Sequence, residues 1–372
     1  VQLGEDLQGL VHALPYAGVS LTANHAVLTR PYVFSSLHDR VGTRPFPSGA
    51  EQRWLAFQLL HALARLHERG LCHGDLKAEN VLITSWGWLY VSDFAPYKPV
   101  LLPEDDPADF SYFFDAGSRR RCYVAPERFC SRASAEAARA GGGNAELTPA
   151  MDIFSAGCVL AELFLDGRAL FDLSTLHAFR RGEHSPAEAL NKVPNPKVRE
   201  LILHMTSAEP GQRLSAAQYL DAYKGALFPE YFGQVLHPFF EGLLPFGLES
   251  RLAVLGASFA DLKERMVESQ GCGEEGVLTK VEKPAAAAGG KAPTSGLAGR
   301  AFGGQAGGQS GGGLSISNLS ASLETCSEGL PDLTEFDQRL VERLERLSGL
   351  LSGSGQGPSG PPAGTGGEPA EG

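Results

Sequence analysis

The sequence predicts an α+β fold: a small sheet, then a mainly helical domain, then a disordered tail. Three observations predict it. Residues 11–33 hold short apolar runs separated by Pro15-Tyr16-Ala17-Gly18 and Ala23-Asn24-His25, which read as two or three strands. Residues up to about 266 alternate apolar helical patterns with turns. Residues 271–313 are mostly Gly, Ala, Ser and Gln, and from Ser352 the chain is Gly, Pro, Glu and Ser. Such segments bury too little surface to offset backbone entropy.

The elements follow in order. Ser48, with Glu51 three residues later, makes a capping box ahead of an apolar stripe at Leu55, Leu59, Ala62 and Leu66, and Gly70 stops that helix. Val81-Leu82-Ile83 and Leu89-Tyr90-Val91 flank the turn 84–88 as a hairpin. A polar loop spans residues 96–121, long enough to be functional. Residues 151–165 read as a helix apolar nearly all round, with Ala156, Gly157 and Ala161 admitting close neighbours, and so as the buried centre of a helical domain. Amphipathic helices fit 196–206, 215–223 and 248–266. Leu333, Phe336, Leu340, Leu344, Leu347 and Leu351 recur at near-heptad spacing, either a partner-docking helix or an idle one.

Composition narrows the function. The chain has 372 residues, 43% of them hydrophobic, enough for a substantial core. Its six cysteines, at 72, 122, 130, 158, 272 and 326, include no C-x-x-C pair, and no histidines cluster at metal spacing along the chain. They read as reduced thiols of an intracellular protein. A net charge of −11 and a pI near 5.4 argue against a nucleic-acid binder or a polybasic membrane anchor. No apolar run is long enough to span a membrane and no signal peptide is present. The start at Val1 rather than Met reads as a fragment.

Five separated motifs carry the chemistry. HGDLKAEN occupies residues 73–80; Asp93-Phe94-Ala95 follows the hairpin; Ala125-Pro126-Glu127 closes the polar loop; MDIFSAG spans 151–157; and Pro210-Gly211-Gln212-Arg213 comes last. In that order they resemble the protein kinases, with HGD for H-R-D and DFA for D-F-G. The resemblance implies a protein-kinase-like fold with a mainly helical C-lobe. It also implies that the aspartate of MDIFSAG braces the catalytic loop and that Glu127 and Arg213 form a buried ion pair. Phosphoryl transfer needs a carboxylate to orient the acceptor hydroxyl, a cation on the transferred phosphate, and metal to neutralise growing charge. On the resemblance Asp75 is the base and Lys77 the cation, while Asn80 and Asp93 bind the cofactor, ATP with Mg²⁺, through the metal.

The phrases RRRCYVAPERF (119–129) and LPEDDPADFSYFFD (102–115), with Thr84-Ser85-Trp86, Phe171-Asp172-Leu173-Ser174 and Phe228-Pro229-Glu230, narrow the likeness. Over about residues 10–266 the chain resembles the vacuolar protein sorting Ser/Thr protein kinases, regulatory subunits of the class III phosphatidylinositol 3-kinase complex. In that family H-G-D is the normal spelling. Gly74 cannot bind a phosphorylated loop residue as arginine would, so the loop must be held otherwise, its own Phe110, Tyr112, Phe113 and Phe114 being candidates. Ala95 should restrict loop switching. Arg120 or Arg121 stands near the position of an active kinase's threonine, and the run 119–121 reads as a solvated loop face or an acidic partner's contact. Only about 30 residues precede the hinge-like Tyr32-Val33-Phe34, and they hold neither G-x-G-x-x-G nor a V-A-I-K lysine.

The expected organisation is a remnant of the kinase N-lobe sheet (1–34), a C-lobe (35–228), a helical extension (229–266) and a low-complexity tail (267–372) with a short helix near 333–351. The resemblance implies a Ser/Thr protein kinase subunit acting in endosomal and vacuolar sorting and autophagy. It would be cytoplasmic and peripheral on membranes through its complex, with the class III lipid kinase catalytic subunit and associated sorting subunits as partners and no nucleic acid. The alternative is a catalytically inactive pseudokinase scaffold.

Overall fold

The structure, a computed structural model, describes residues 6–271 apart from 15, 116–119 and 141–144. The tail and its expected helix at 333–351 lie outside the described residues. β1 (Gly18–Leu21) and β2 (Ala26–Thr29) pair antiparallel as an isolated hairpin, with Val19, Leu21 and Leu28 exposed. Alternation fails as a guide to burial here because the two strands have no third layer. Tyr32 and Phe34, in the hinge-like segment, are exposed as well.

Ser36 begins the helical lobe. Its hydroxyl accepts the Asp39 N–H and starts α1 (Leu37–Gly42), with Asp39 completing the box. Ser48 does the same for the Glu51 N–H at the start of α2 (Gly49–Glu68), while the Glu51 carboxylate grips Arg40 at 2.8 and 2.9 Å. Gly70, at φ +72°, turns the chain after Arg69. The chain then forms β4 (Val81–Ile83) and β5 (Leu89–Val91), which pair as expected, with β3 (Ser35–Ser36) on the other edge of β4. This three-stranded sheet positions the site, because Asn80 precedes β4 and Asp93 follows β5.

The polar loop 96–121 is more structured than its composition indicates. It contains β6 (Leu102–Pro103), paired parallel with β7 (Phe129–Cys130), and α3 (Pro107–Phe114). Asp106 caps α3, Pro107 fits its first turn, and Phe110 and Phe114, one helical turn apart, form its buried side. A single apolar turn among acidic residues carries too little periodicity to be seen.

After α4 (Arg132–Arg139), α5 (Pro149–Phe164) runs through the core, with thirteen of its residues buried. Gly157 is required there: a Cβ would lie 2.8 Å from Thr206 Cγ2 and 2.9 Å from Met205 Cβ. Between them come α6 (Leu173–Arg180) and α7 (Ala187–Leu190); α8 is Pro196–Met205 and α9 is Ala216–Ala222. A π-helical turn at Phe232–Leu236 leads into α10 (His237–Gly242), and α11 (Leu248–Gly271) extends the helix expected at 248–266. Arg251 of α11 lies 4.6 Å from the centre of the Trp86 ring in the β4–β5 turn. No helix among the described residues is long and apolar enough to cross a membrane. The expectation of no histidine cluster holds along the chain but not in space, where His12, His61 and His237 converge.

Candidate active site

The brace comes from α5. The Asp152 carboxylate accepts the His73 N–H at 2.7 Å and the Gly74 N–H at 3.0 Å, and His67 Nε2 lies 3.1 Å away. Burial works to raise the Asp152 pKa. The hydrogen bond and charge of His67 and the bonded His73 outweigh it, and the carboxyl lies below its usual range. His73 is fully buried, and its Nε2–H donates to the Ser92 carbonyl at 2.9 Å. That fixes the tautomer, leaving Nδ1 to accept the Asp75 N–H at 3.2 Å. Burial holds the imidazole pKa down against the Asp152 charge.

Asp75, Lys77, Asn80 and Asp93 meet in one cluster. Lys77 Nζ lies 3.1 Å from Asp75 Oδ2. The Asn80 side-chain amide donates to the Asp75 carbonyl at 2.9 Å, while the Asn80 carbonyl accepts the Ser92 N–H at 2.9 Å. Asp93, in the left-handed region at φ +61°, receives the Ser92 hydroxyl at 3.2 Å. Asn80 and Asp93 fit the expected Mg²⁺: both offer hard oxygen donors, and Asn80 gives its nitrogen end to Asp75, leaving its side-chain oxygen outside that bond.

Two cations absent from the sequence-level reading occupy the same carboxylates. Lys98 Nζ lies 2.8 Å from Asp75 Oδ2, and Arg30 Nη2 lies 3.0 Å from Asp93 Oδ2. Neither stands in a motif; only folding brings them in.

The glycine of HGD has a structural reason. Gly74 sits at φ +79°, and a Cβ there would lie 2.8 Å from Leu147 Cδ1 and 3.1 Å from the Ala95 carbonyl oxygen. Ala95 is itself buried and donates its N–H to the His73 carbonyl at 2.9 Å. Gly74 and Ala95 therefore fit each other. What holds the loop instead of a phosphate is Arg128, the residue after A-P-E. Its guanidinium donates to the carbonyls of Gly74, Pro99 and Val100 at 2.9, 2.8 and 2.9 Å, and lies 4.8 Å from the Phe114 ring centre. Of the four aromatic candidates, Phe110 and Phe114 are buried, whereas Tyr112 is exposed.

The basic run is corrected in part. Arg119 lies outside the described residues and Arg120 is exposed, but Arg121 is half-buried and engaged within the lobe. It donates to the buried Glu162 carboxylate, which also receives the Tyr123 hydroxyl. Arg213 forms the expected bidentate pair with Glu127 at 2.7 and 2.9 Å, its own side chain fully buried.

A lobe of this connectivity, with the 73–80 loop braced by Asp152 and two carboxylates beside an asparagine, has the layout of a protein kinase C-lobe. Residues 12–223 match the protein kinase domain, more than half of the 372, and the chain belongs to the protein kinase family. Within it, the likeness is to the VPS15 type. The serine/threonine-protein kinase VPS15 of Arabidopsis thaliana is 47% identical over 270 residues, 73% of this chain and 18% of that protein. The vps15 kinase of Schizosaccharomyces pombe is 45% identical over 241 residues, 64% of this chain and 14% of the relative. That of Saccharomyces cerevisiae is 39% identical over 238 residues, 63% and 16% respectively. The chain thus spans less than a fifth of the length of these relatives.

Proposed function

We propose that this chain is the kinase-fold part of a Ser/Thr protein kinase-like regulatory subunit of a class III phosphatidylinositol 3-kinase complex, working in endosomal sorting and autophagy. The complex and its membranes are inferred from the family resemblance. The observation that carries the kinase part is Asp75, Asn80 and Asp93 gathered around a catalytic loop pinned by Asp152. In that arrangement Asp75 orients the acceptor hydroxyl and Lys77 meets the transferred phosphate, while Asn80 and Asp93 hold the metal. Mg²⁺ bound with ATP supplies neutralisation of the phosphate charge.

A second reading is a pseudokinase scaffold, and one observation favours it. Both working carboxylates are engaged by the chain's own cations, Lys98 on Asp75 and Arg30 on Asp93. Calorimetry of the purified chain with Mg-ATP and a phosphate-transfer assay separate the two. The expected outcome for the chain itself is weak or no nucleotide binding and no transfer, since its first 34 residues contain no G-x-G-x-x-G loop or V-A-I-K lysine. Phosphate transfer that Asp75→Asn abolishes would reject the scaffold reading. Co-expression with a class III lipid kinase catalytic subunit tests the assembly, and failure to co-purify would reject the complex.

A further inference from the structure

Three histidines from distant parts of the chain face one another. His12 precedes β1, His61 lies on α2, and His237 begins α10. One ring nitrogen from each lies within 4.8 Å of the others. They line a cavity of about 230 Å³, with Arg65 and Glu241 also on its wall.

The hydrogen bonds set which nitrogens are free. His12 Nδ1 lies 2.7 Å from the Leu89 carbonyl, which can only accept, so Nδ1 carries the proton and Nε2 presents a lone pair to the cavity. His237 Nε2 stands 2.8 Å from that lone pair. On its other side, His237 Nδ1 faces the Glu241 carboxylate at 3.7 Å. The third member is unsatisfied: His61 Nδ1 is buried with no hydrogen-bond partner among the described residues. A buried polar atom without a partner costs about 1–3 kcal/mol and calls for an explanation.

We propose that His12, His61 and His237 form a binding site for a divalent transition-metal ion of the Zn²⁺ type. One of the three carries the support that metal-bound histidines use, a backbone carbonyl behind His12, and the Glu241 carboxylate, 3.7 Å from His237 Nδ1, becomes a second by closing on that nitrogen when the ion binds. Imidazole nitrogens suit Zn²⁺ rather than Mg²⁺ or Ca²⁺. Nitrogens at 2.0–2.1 Å from a tetrahedral ion stand about 3.3 Å apart, so the His12–His237 pair must open by about 0.5 Å. Binding moves the His237 proton from Nε2 to Nδ1, toward Glu241, and Nε2 then coordinates. His61 contributes a ring nitrogen, and a water from the cavity completes four ligands. The opposing charge is Arg65, which pairs with Glu68 at 2.6 Å. A bound ion would fasten the segment before β1, helix α2 and the C-terminal extension at one point.

The test uses the whole chain, tag-free and treated with chelator, titrated with Co²⁺ and Zn²⁺. Expected results are a visible absorption band of tetrahedral Co²⁺ that Zn²⁺ displaces at one equivalent, and a higher unfolding temperature with Zn²⁺. Glu241→Gln should weaken Zn²⁺ binding about 10–100-fold, as loss of a supporting carboxylate does, and His61→Gln should weaken it more. Both side chains reach the cavity rim, so circular dichroism should show the variants folded; if His61→Gln does not fold, Glu241→Gln decides. Absence of the Co²⁺ band overturns the proposal. So does a Zn²⁺ response that neither variant weakens, which would place the ion elsewhere, His67, Cys72 and Asp152 being the other candidate group.

Discussion

At the scale of single residues, Gly74 shows how a departure from a motif can be structural. Arginine is excluded there by a positive φ and by Leu147 and the Ala95 carbonyl, whatever regulation demands. Gly74→Arg should therefore fail to restore a phosphate-dependent kinase and should destabilise the lobe by about 1–3 kcal/mol from the backbone alone; thermal unfolding measures it, and an unchanged midpoint would contradict the reading. The residues of HGDLKAEN were legible because they keep the order and spacing of a known motif. Arg128, Lys98 and Arg30 were not. Arg128 binds backbone carbonyls, which leave no trace in the sequence of the segment they belong to, and the two others reach their carboxylates only through tertiary folding.

At the scale of elements, the helices with sustained apolar periodicity were readable and the short ones were not. α5 and α8 lie where the sequence places them, to within one or two residues, because burial on α5 continues through four turns. α3 escaped because its two buried aromatics are a single repeat inside an acidic segment. The join between the loop and the lobe rests on Arg213, which binds Glu127 and the carbonyls of Ala150 and Ser207 with its side chain fully buried. Arg213→Ala leaves Glu127 and these carbonyls without their donor. Such a broken buried pair should cost about 3–5 kcal/mol, and the Tm of the purified chain should fall accordingly. Protease cleavage within 96–115 should rise in the same variant, whereas substitution of the exposed Arg181–Glu183 pair should change neither.

At the scale of the molecule, the long-range closures were the least legible part, since histidines at 12, 61 and 237 carry no spacing that a reader of the chain could use. Asp152 is a closure of another kind, tying α5 to the catalytic loop, and it has a pH signature. Its carboxyl is depressed below the ordinary 3.8, so it contributes stability above that unfolded-state value, and the contribution is lost as pH falls through the lower folded value. Asp152→Asn should be less stable at neutral pH and should show a shallower loss of stability below about pH 4, measured by urea unfolding across pH. An acid limb as steep as the parent's would exclude Asp152 as a contributor. One last feature concerns what light reports. The chain has three tryptophans, and all three lie where the C-terminal extension meets the lobe: Trp54 is 5.9 Å from Phe240, Trp86 is 5.9 Å from the same ring, and Trp88 is 5.8 Å from Trp86. Intrinsic fluorescence is therefore a gauge of that seam. If the extension peels away before the lobe melts, the emission midpoint in denaturant should precede the far-ultraviolet one; coincident midpoints would mean that seam and lobe come apart as a single cooperative unit.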